Sequence, residues 1–168
     1  MKNHTSRSIT TLLIATGLAM LTAARATNES GKEAKEDSSE RVTMGQLTEL
    51  ARATVEKLIA GGRIEKIDKE MEKGQTVYDV EANVNGKHME YTITMAGDVV
   101  GTETSIEFNQ LQDAVQAAAA EYFGGIASLE PSRVEENGQT NYEIEGKKSG
   151  KKVAVTFDRT GRIMGEEK

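Results

Sequence analysis

The chain has 168 residues, of which 21 are Lys or Arg and 27 are Asp or Glu, and its formal net charge is -6 at pH 7. This acidic balance argues against a nucleic-acid partner, because phosphate binding needs a basic surface. The sequence has no Cys and no Trp, so disulfides and thiolate chemistry are excluded, and the core must consist of aliphatic residues with a few Tyr and Phe.

The first 26 residues have the pattern of a secretory signal peptide. Lys2 and Arg7 precede an apolar stretch, and the segment Ala24-Arg25-Ala26 has small residues at the two positions that signal peptidase recognises. The apolar stretch is shorter than the roughly 20 residues of a membrane span, although an uncleaved anchor is the alternative. Cleavage near Ala26 predicts a periplasmic or secreted protein without stable membrane insertion, followed by a polar, disordered linker over residues 27–41.

An internal repeat organises the remaining sequence. A shift of 64 residues aligns the chain on itself without a gap, so that Gly74 falls on Gly138 and Gly97 on Gly161. The two predicted repeats are residues 42–104 and residues 105–168. Two copies are too few for a solenoid. Because the matches are mostly turn glycines and apolar positions in one register, they favour two fused copies of a small domain over chance similarity.

Each predicted repeat begins with a helix. Apolar residues recur at helical spacing over residues 47–58 and 111–122. Residue types that suit helix caps flank both stretches. The predicted caps are Gly45 and Asn109 at the N-termini, and Gly61-Gly62 and Gly124-Gly125 at the C-termini.

Two hairpins follow the helices. Asn85-Gly86 is the strongest short hairpin signal, because its turn requires positive φ at both residues. A two-residue turn there pairs Val84 with Lys87 and places Tyr78 opposite Ile93, with the apolar residues on one face. In the second repeat, Ser149-Gly150 predicts the same register, with three pairs of facing residues. These pairs are Gly146 with Val153, Ile144 with Val155, and Tyr142 with Phe157.

Further strands are predicted before and after each hairpin. Less regular strands lie near Arg63–Glu72 and at residues 126–136, and short ones around Val99-Val100 and Ile163-Met164. Pro131 predicts an edge strand or an interrupted one. The predicted fold class is therefore α+β, with two tandem repeats that each pack one helix on an antiparallel sheet of about four strands. A unit of about 60 residues is marginally stable alone, so we expect the repeats to share an interface or a continuous sheet.

The order of these signals carries a resemblance to a known family. Residues 45–104 and 109–168 each resemble the PepSY-like domain family. The shared pattern is a helix ending in Gly-Gly, an extended segment, the sequence Tyr-acid-Val/Ile-Glu, a Gly-Lys hairpin and the sequence Gly-x-Val/Ile. Its exported members are related in architecture to the beta-lactamase inhibitory proteins, which also carry a tandem repeat. The resemblance implies a non-catalytic extracytoplasmic module that binds or inhibits proteins, and it brings no catalytic residue.

The residues themselves offer little for catalysis or metal binding. His88 is the only His left after signal-peptide cleavage, whereas a zinc site needs three or four nitrogen or sulfur ligands and a catalytic triad needs an oriented His. We therefore predict no enzymatic activity, no cofactor and no metal ligands. Calcium could bind through carboxylate oxygens, but no loop with regular Asp spacing predicts a calcium site.

One sheet face is a candidate docking surface. The register that buries Tyr78 turns Asp79 and Glu81 to the other face and places Glu81 opposite Glu90, which is an unfavourable like-charge pair. The candidate docking residues are Asp79, Glu81, His88, Glu90, Glu143 and Glu145. The alternative is a solvated face that is acidic for solubility alone.

The function predicted from this surface is binding to another exported or membrane-associated protein, with inhibition of a protease or other exported enzyme as its outcome. The alternative is a periplasmic sensor or accessory protein that binds a metal ion or a small ligand.

Overall fold

The computed structural model of the chain describes residues 39–167. The predicted signal peptide and residues 27–38 of the predicted linker lie outside the described residues. Within residues 39–167, no helix has both the length and the apolar character needed to cross a bilayer.

The described chain forms one antiparallel sheet of nine strands, which lie side by side in chain order. Two α-helices lie on it, α1 (Glu49–Leu58) and α2 (Asp113–Phe123), each preceded by a short 3₁₀ turn. The strands are β1 (Glu40–Arg41), β2 (Arg63–Glu72), β3 (Gln75–Val84), β4 (Lys87–Thr94), β5 (Val99–Ser105), β6 (Glu130–Glu136), β7 (Gln139–Lys148), β8 (Lys151–Asp158) and β9 (Ile163–Glu167).

The predicted fold class is wrong. Two separate helix-on-sheet repeats of about four strands do not form, because β5 pairs with β6 from Gly101 opposite Glu136 to Ser105 opposite Ser132. Isolated four-stranded sheets would leave unpaired backbone groups at these two edges, and the β5–β6 ladder satisfies them. The expectation of a continuous sheet is confirmed, and β1 adds a ninth strand beside β2.

The hairpin registers are confirmed in both parts of the sheet. Val84 lies opposite Lys87 and Tyr78 opposite Ile93, and Tyr142 lies opposite Phe157. Both turns have positive φ at both central residues, as the sequence predicts. The apolar side chains consequently share one face, where Tyr78 and Tyr142 are buried.

That face holds the core, in two apolar clusters. The first joins Ala51 and Val55 of α1 to residues of β2, β3 and β4, and the second joins Val115 and Ala119 of α2 to residues of β7 and β8. Since the segments preceding both helices also contribute residues to these clusters, every helix and 3₁₀ turn of residues 39–167 packs on this face. Within the described part of the chain, no helix packs on the opposite face of the sheet.

The helix starts differ from the prediction. Gly45 lies inside a 3₁₀ turn, and α1 is capped by Thr48, whose hydroxyl accepts a hydrogen bond from the Ala51 backbone N–H at 3.2 Å. The reason is local: the Gln46 side chain accepts a hydrogen bond from the Thr43 N–H at 2.9 Å and stabilises a separate turn. In the second part, Asn109 lies inside the corresponding 3₁₀ turn, and Gln112 is the N-cap of α2.

The predicted glycine C-cap is confirmed for α2 and is wrong for α1. Gly124 caps α2 in the left-handed region, with φ of 73°. By contrast, α1 ends at Leu58 and its C-cap is Ile59, with φ of -101°, so Gly61 lies beyond the cap.

Of the two alternatives predicted from Pro131, the edge strand is wrong, because β6 lies between β5 and β7. Pro131 is tolerated since it precedes the first β5–β6 pair, where its carbonyl accepts a hydrogen bond from the Ile106 N–H. No ladder bond to β5 is therefore required from its missing N–H.

Candidate functional site

The face of the sheet opposite the helices is strongly acidic, and we call it the acidic face. Because alternate residues of a strand share a face, the register brings carboxylates from β2 to β7 together on it. They include Asp68, Glu70, Glu72, Asp79, Glu81, Glu90, Glu103, Glu130, Glu136, Glu143 and Glu145.

A row of three glutamates crosses the centre of this face. Glu81 lies opposite Glu90, as predicted, and Glu90 lies opposite Glu103 on the next strand. Like charges in directly facing positions destabilise a sheet. Here the cost is increased by burial, since Glu81 is only 7% exposed and Glu90 only 4%.

Cationic side chains compensate part of this row. Lys66 Nζ lies 3.0 Å from Glu81 Oε1 and 2.7 Å from Asp68 Oδ2, and Arg41 Nε donates to Asp68 Oδ1 at 2.8 Å. Glu90 forms no ion pair among the described residues, and its buried Oε1 accepts no hydrogen bond. Glu90 is therefore the least satisfied carboxylate of the row.

The electrostatics follow from this geometry. Burial raises the pKa of Glu90 to about 9, with further contributions from Glu103, Asp79 and Glu81, against the opposing charge of Lys66. Burial also raises the pKa of Glu103, although the Ser132 hydroxyl and the charge of His88 act in the other direction. At neutral pH the Glu90 carboxyl accordingly holds a proton in the absence of a further cation.

A groove of about 720 Å³ opens over one end of the row. It brings together four of the six residues predicted from the sequence, namely His88, Glu90, Glu143 and Glu145. Residues from the segments before α2 and before β6 add an apolar wall, which includes Ile106, Phe108, Leu129 and Pro131. A groove with an acidic floor and an apolar wall suits a basic side chain with a long aliphatic stem.

The remaining predicted residues lie elsewhere. Asp79 and Glu81 share the acidic face but do not line the groove, and both are buried. His88 is half-buried, with its Nδ1 at 3.4 Å from Glu65 Oε2. The cause is a β-bulge between Ile64 and Lys66, which inserts Glu65 as an extra residue beside His88.

A second cluster of carboxylates lies towards the other end of β2 and β3. One carboxylate oxygen from each of Glu70, Glu72 and Asp79 lies within 4.8 Å of the others. Asp79 is 5% exposed, and neither of its carboxylate oxygens accepts a hydrogen bond of good geometry.

Burial and the proximity of other carboxylates raise the pKa values of Asp79 and Glu72 in this cluster. Burial raises the pKa of Asp79 to about 8, followed by the hydrogen bond and the charge of Glu70, while the neighbouring Thr92 hydroxyl lowers it. Burial and the Glu70 carboxyl raise the pKa of Glu72 to about 7, with Glu136 adding to the rise and Lys73 opposing it. Such a set of oxygen donors can hold a hard cation.

Sequence reasoning missed several residues of this face. The acids of β2 recur at every second position, at Asp68, Glu70 and Glu72, and this alternation was the available signal. Glu103 and Ser132 gave no comparable signal, because their place beside Glu90 and Glu143 depends on the pairing of β4 with β5 and of β6 with β7.

Comparison with known proteins places this geometry in context. Residues 46–95 match the PepSY family model, which is described as the peptidase propeptide and YPEB domain. The resemblance predicted from the sequence is thereby confirmed for this stretch. No curated protein sequence matches the chain.

Three solved structures from Bacteroides share the fold. A protein of Bacteroides eggerthii provisionally assigned to the periplasm is 18% identical, with a TM-score of 0.58 over 73% of this chain and 89% of its own. A DUF2874 family protein of Bacteroides uniformis is also 18% identical, with a TM-score of 0.55 over 71% and 87% of the two chains. A BLIP-like protein of Bacteroides fragilis is 22% identical, with a TM-score of 0.51 over 72% and 85%.

Proposed function

We propose that this protein is a non-catalytic binding module that acts outside the cytoplasm and docks a basic segment of another exported or membrane-associated protein on its acidic face. The observation that carries the proposal is the groove over Glu90. Among the described residues that line it are seven glutamates and a single lysine. Glu145 is paired with Lys152 and Glu65 with Arg63, two cations that lie outside the groove lining. The excess of carboxylates around buried Glu90 still favours an external cation.

Glu90 defines what that cation would be. The buried Glu90 Oε1 accepts no hydrogen bond, and an ionised carboxylate in such a position is costly. A guanidinium or ammonium group would provide both charge and donors. Glu103 on β5 and Glu143 on β7 lie on the two strands that flank β6, and both line the groove. A planar Arg side chain in the groove could therefore reach the carboxylates of β4 and β5 as well as that of β7. The half-exposed groove glutamates would add long-range attraction and speed the encounter.

Location and lack of catalysis are further parts of the proposal. The signal-peptide pattern of the first 26 residues supports export, as does the provisional periplasmic assignment of the Bacteroides eggerthii protein. The PepSY match supports a module without enzymatic activity. If the docked segment belongs to an exported enzyme, occupation of the groove would inhibit it, and the shared fold of a BLIP-like protein supports that outcome.

Charge reversal in the groove tests the proposal. Glu130→Lys combined with Glu143→Lys changes two carboxylates that line the groove without touching the apolar clusters. The mature chain, immobilised, is used to capture its partner from the native extracytoplasmic fraction, and affinity for the purified partner is then measured. We expect the double variant to bind at least tenfold more weakly and with a smaller dependence on ionic strength.

The matched control carries the same charge change on the helices. Glu56→Lys with Glu121→Lys replaces two exposed residues of α1 and α2, and it should bind like the unmodified chain. Equal weakening in both double variants would show a general charge effect and would contradict docking on the acidic face. Unchanged affinity in the groove variant would remove the groove as the docking site.

A further inference from the structure

We propose that Glu70, Glu72 and Asp79 form a binding site for a hard divalent cation, with calcium as the preferred ion. The site is distinct from the groove, because none of the three residues lines it. The inference goes beyond the proposed protein-binding function and does not depend on it.

The first support is the spacing of the oxygens. Glu70 and Glu72 project from β2, and Asp79 projects from the neighbouring strand β3 on the same face. Their nearest oxygens lie within 4.8 Å of one another. Two oxygens that bind one calcium ion at about 2.4 Å can be at most about 4.8 Å apart. A single ion placed between the three carboxylates can therefore contact all of them with little movement of the side chains.

The second support is the state of Asp79. Its side chain is buried at 5% exposure, and neither carboxylate oxygen accepts a hydrogen bond of good geometry. The groups that interact with it are the Glu70 carboxyl, which carries a like charge, and the Thr92 hydroxyl. An ionised carboxylate in such surroundings costs several kcal/mol unless a charge or donors compensate it. The nearby lysines are engaged elsewhere, since Lys73 contacts Glu136 at 3.0 Å and Lys66 bridges Asp68 and Glu81. A bound cation would supply the missing compensation.

The donor set selects the type of ion. The cluster contains only carboxylates, without His or Cys, which disfavours zinc and other ions that prefer nitrogen or sulfur. Magnesium usually keeps several waters and uses one or two carboxylates, whereas calcium accepts six to eight oxygens, including bidentate carboxylates. Three carboxylates can offer up to six oxygens, which matches calcium better.

The test uses the mature chain after treatment with a chelator. Isothermal titration with CaCl₂, MgCl₂ and ZnCl₂ should show one calcium ion per chain, with a dissociation constant between about 10 μM and 1 mM and weaker binding of the other two ions. Calcium should also raise the melting temperature, since it binds the folded chain alone. Asp79→Asn and Glu72→Gln, which keep the side-chain shapes, should each weaken calcium binding at least tenfold.

The matched control is Glu143→Gln, which removes a carboxylate of the same face outside the cluster and should leave calcium binding unchanged. A folded wild-type chain, verified by circular dichroism, that gives neither heat nor a melting shift with calcium would overturn the site. Calcium binding that persists in both cluster variants would overturn it as well. These outcomes are independent of partner docking, because the groove variants leave the cluster intact.

Discussion

Substitution of Gly161 by Ala is expected to destabilise the protein by about 3 kcal/mol or more. Gly161 lies in the turn between β8 and β9 with φ of +83°, and a Cβ at this position would lie 2.5 Å from the Ala114 carbonyl oxygen of α2. The left-handed conformation costs an L-residue about 1–2 kcal/mol, and overpacking adds roughly 1–3 kcal/mol. The obstacle is helix backbone, which cannot rotate away as a side chain can.

A control substitution separates the cost of the contact with α2 from the cost of the left-handed backbone conformation. Gly150 has φ of +80° in the β7–β8 turn, but a Cβ there meets nothing within 4 Å. Gly150→Ala should therefore lose only about 1–2 kcal/mol. Urea unfolding monitored by circular dichroism gives both values. Equal losses in the two variants would contradict the close approach of the turn to α2.

The same comparison is available in the first part of the sheet. Gly97 has φ of +87°, and its Cβ would lie 2.8 Å from the Leu50 carbonyl oxygen of α1, whereas Gly86 has φ of +82° and open space. The sequence predicts Gly97 and Gly161 as turn residues. Their second role, which is to let each turn touch a helix, depends on tertiary packing and could not be predicted from turn chemistry alone.

The hairpins were the most predictable part of the fold. A two-residue turn with positive φ at both positions fixes which residues face each other, and Asn85-Gly86 is such a turn. Once the register is fixed, the alternation of the strands decides which side chains share a face. This is why the pairing of Glu81 with Glu90 could be predicted without coordinates.

The pairing of β5 with β6 could not be predicted in this way. The two strands are separated along the chain by α2 and its flanking segments, so no turn type fixes their register. Their union makes Glu103 a neighbour of Ser132 and brings Glu143 into the groove. The sequence predicted these residues from two hairpins without fixing the relative position of the hairpins, whereas the structure assembles His88, Glu90, Glu143 and Glu145 around one opening.

Burial of the acids was the other feature that the sequence did not reveal. Alternation predicts that Asp79, Glu81 and Glu90 point away from the core, on a face interpreted either as a docking surface or as a solvated acidic surface. In the interior of a nine-stranded sheet, however, each of these side chains has neighbours on the strands at both sides. They are 4% to 7% exposed, and burial raises the pKa of Asp79 and of Glu90.

Glu90→Gln is expected to stabilise the folded protein at neutral and alkaline pH, measured in the presence of a chelator. The pKa of Glu90 is about 9 in the folded state, against an ordinary value of 4.5. Between these values the folded chain binds more protons than the unfolded chain, so the free energy of unfolding falls as the pH rises. Gln cannot ionise, and the variant avoids this loss. We expect a gain of about 2–4 kcal/mol at pH 8 and almost none at pH 4.

Urea unfolding of both proteins at pH 4, 6 and 8 measures this difference directly. A variant that is less stable than the wild-type chain at pH 8 would mean that the Glu90 carboxylate already has a cationic partner within the protein. That result would contradict the proposal that an external cation binds Glu90 in the groove. The same variant should bind the partner more weakly, because the amide no longer offers the charge that a guanidinium or ammonium group would neutralise. Higher stability together with weaker binding is the combination expected of a carboxylate that is retained for recognition, since functional sites are often built at the expense of stability.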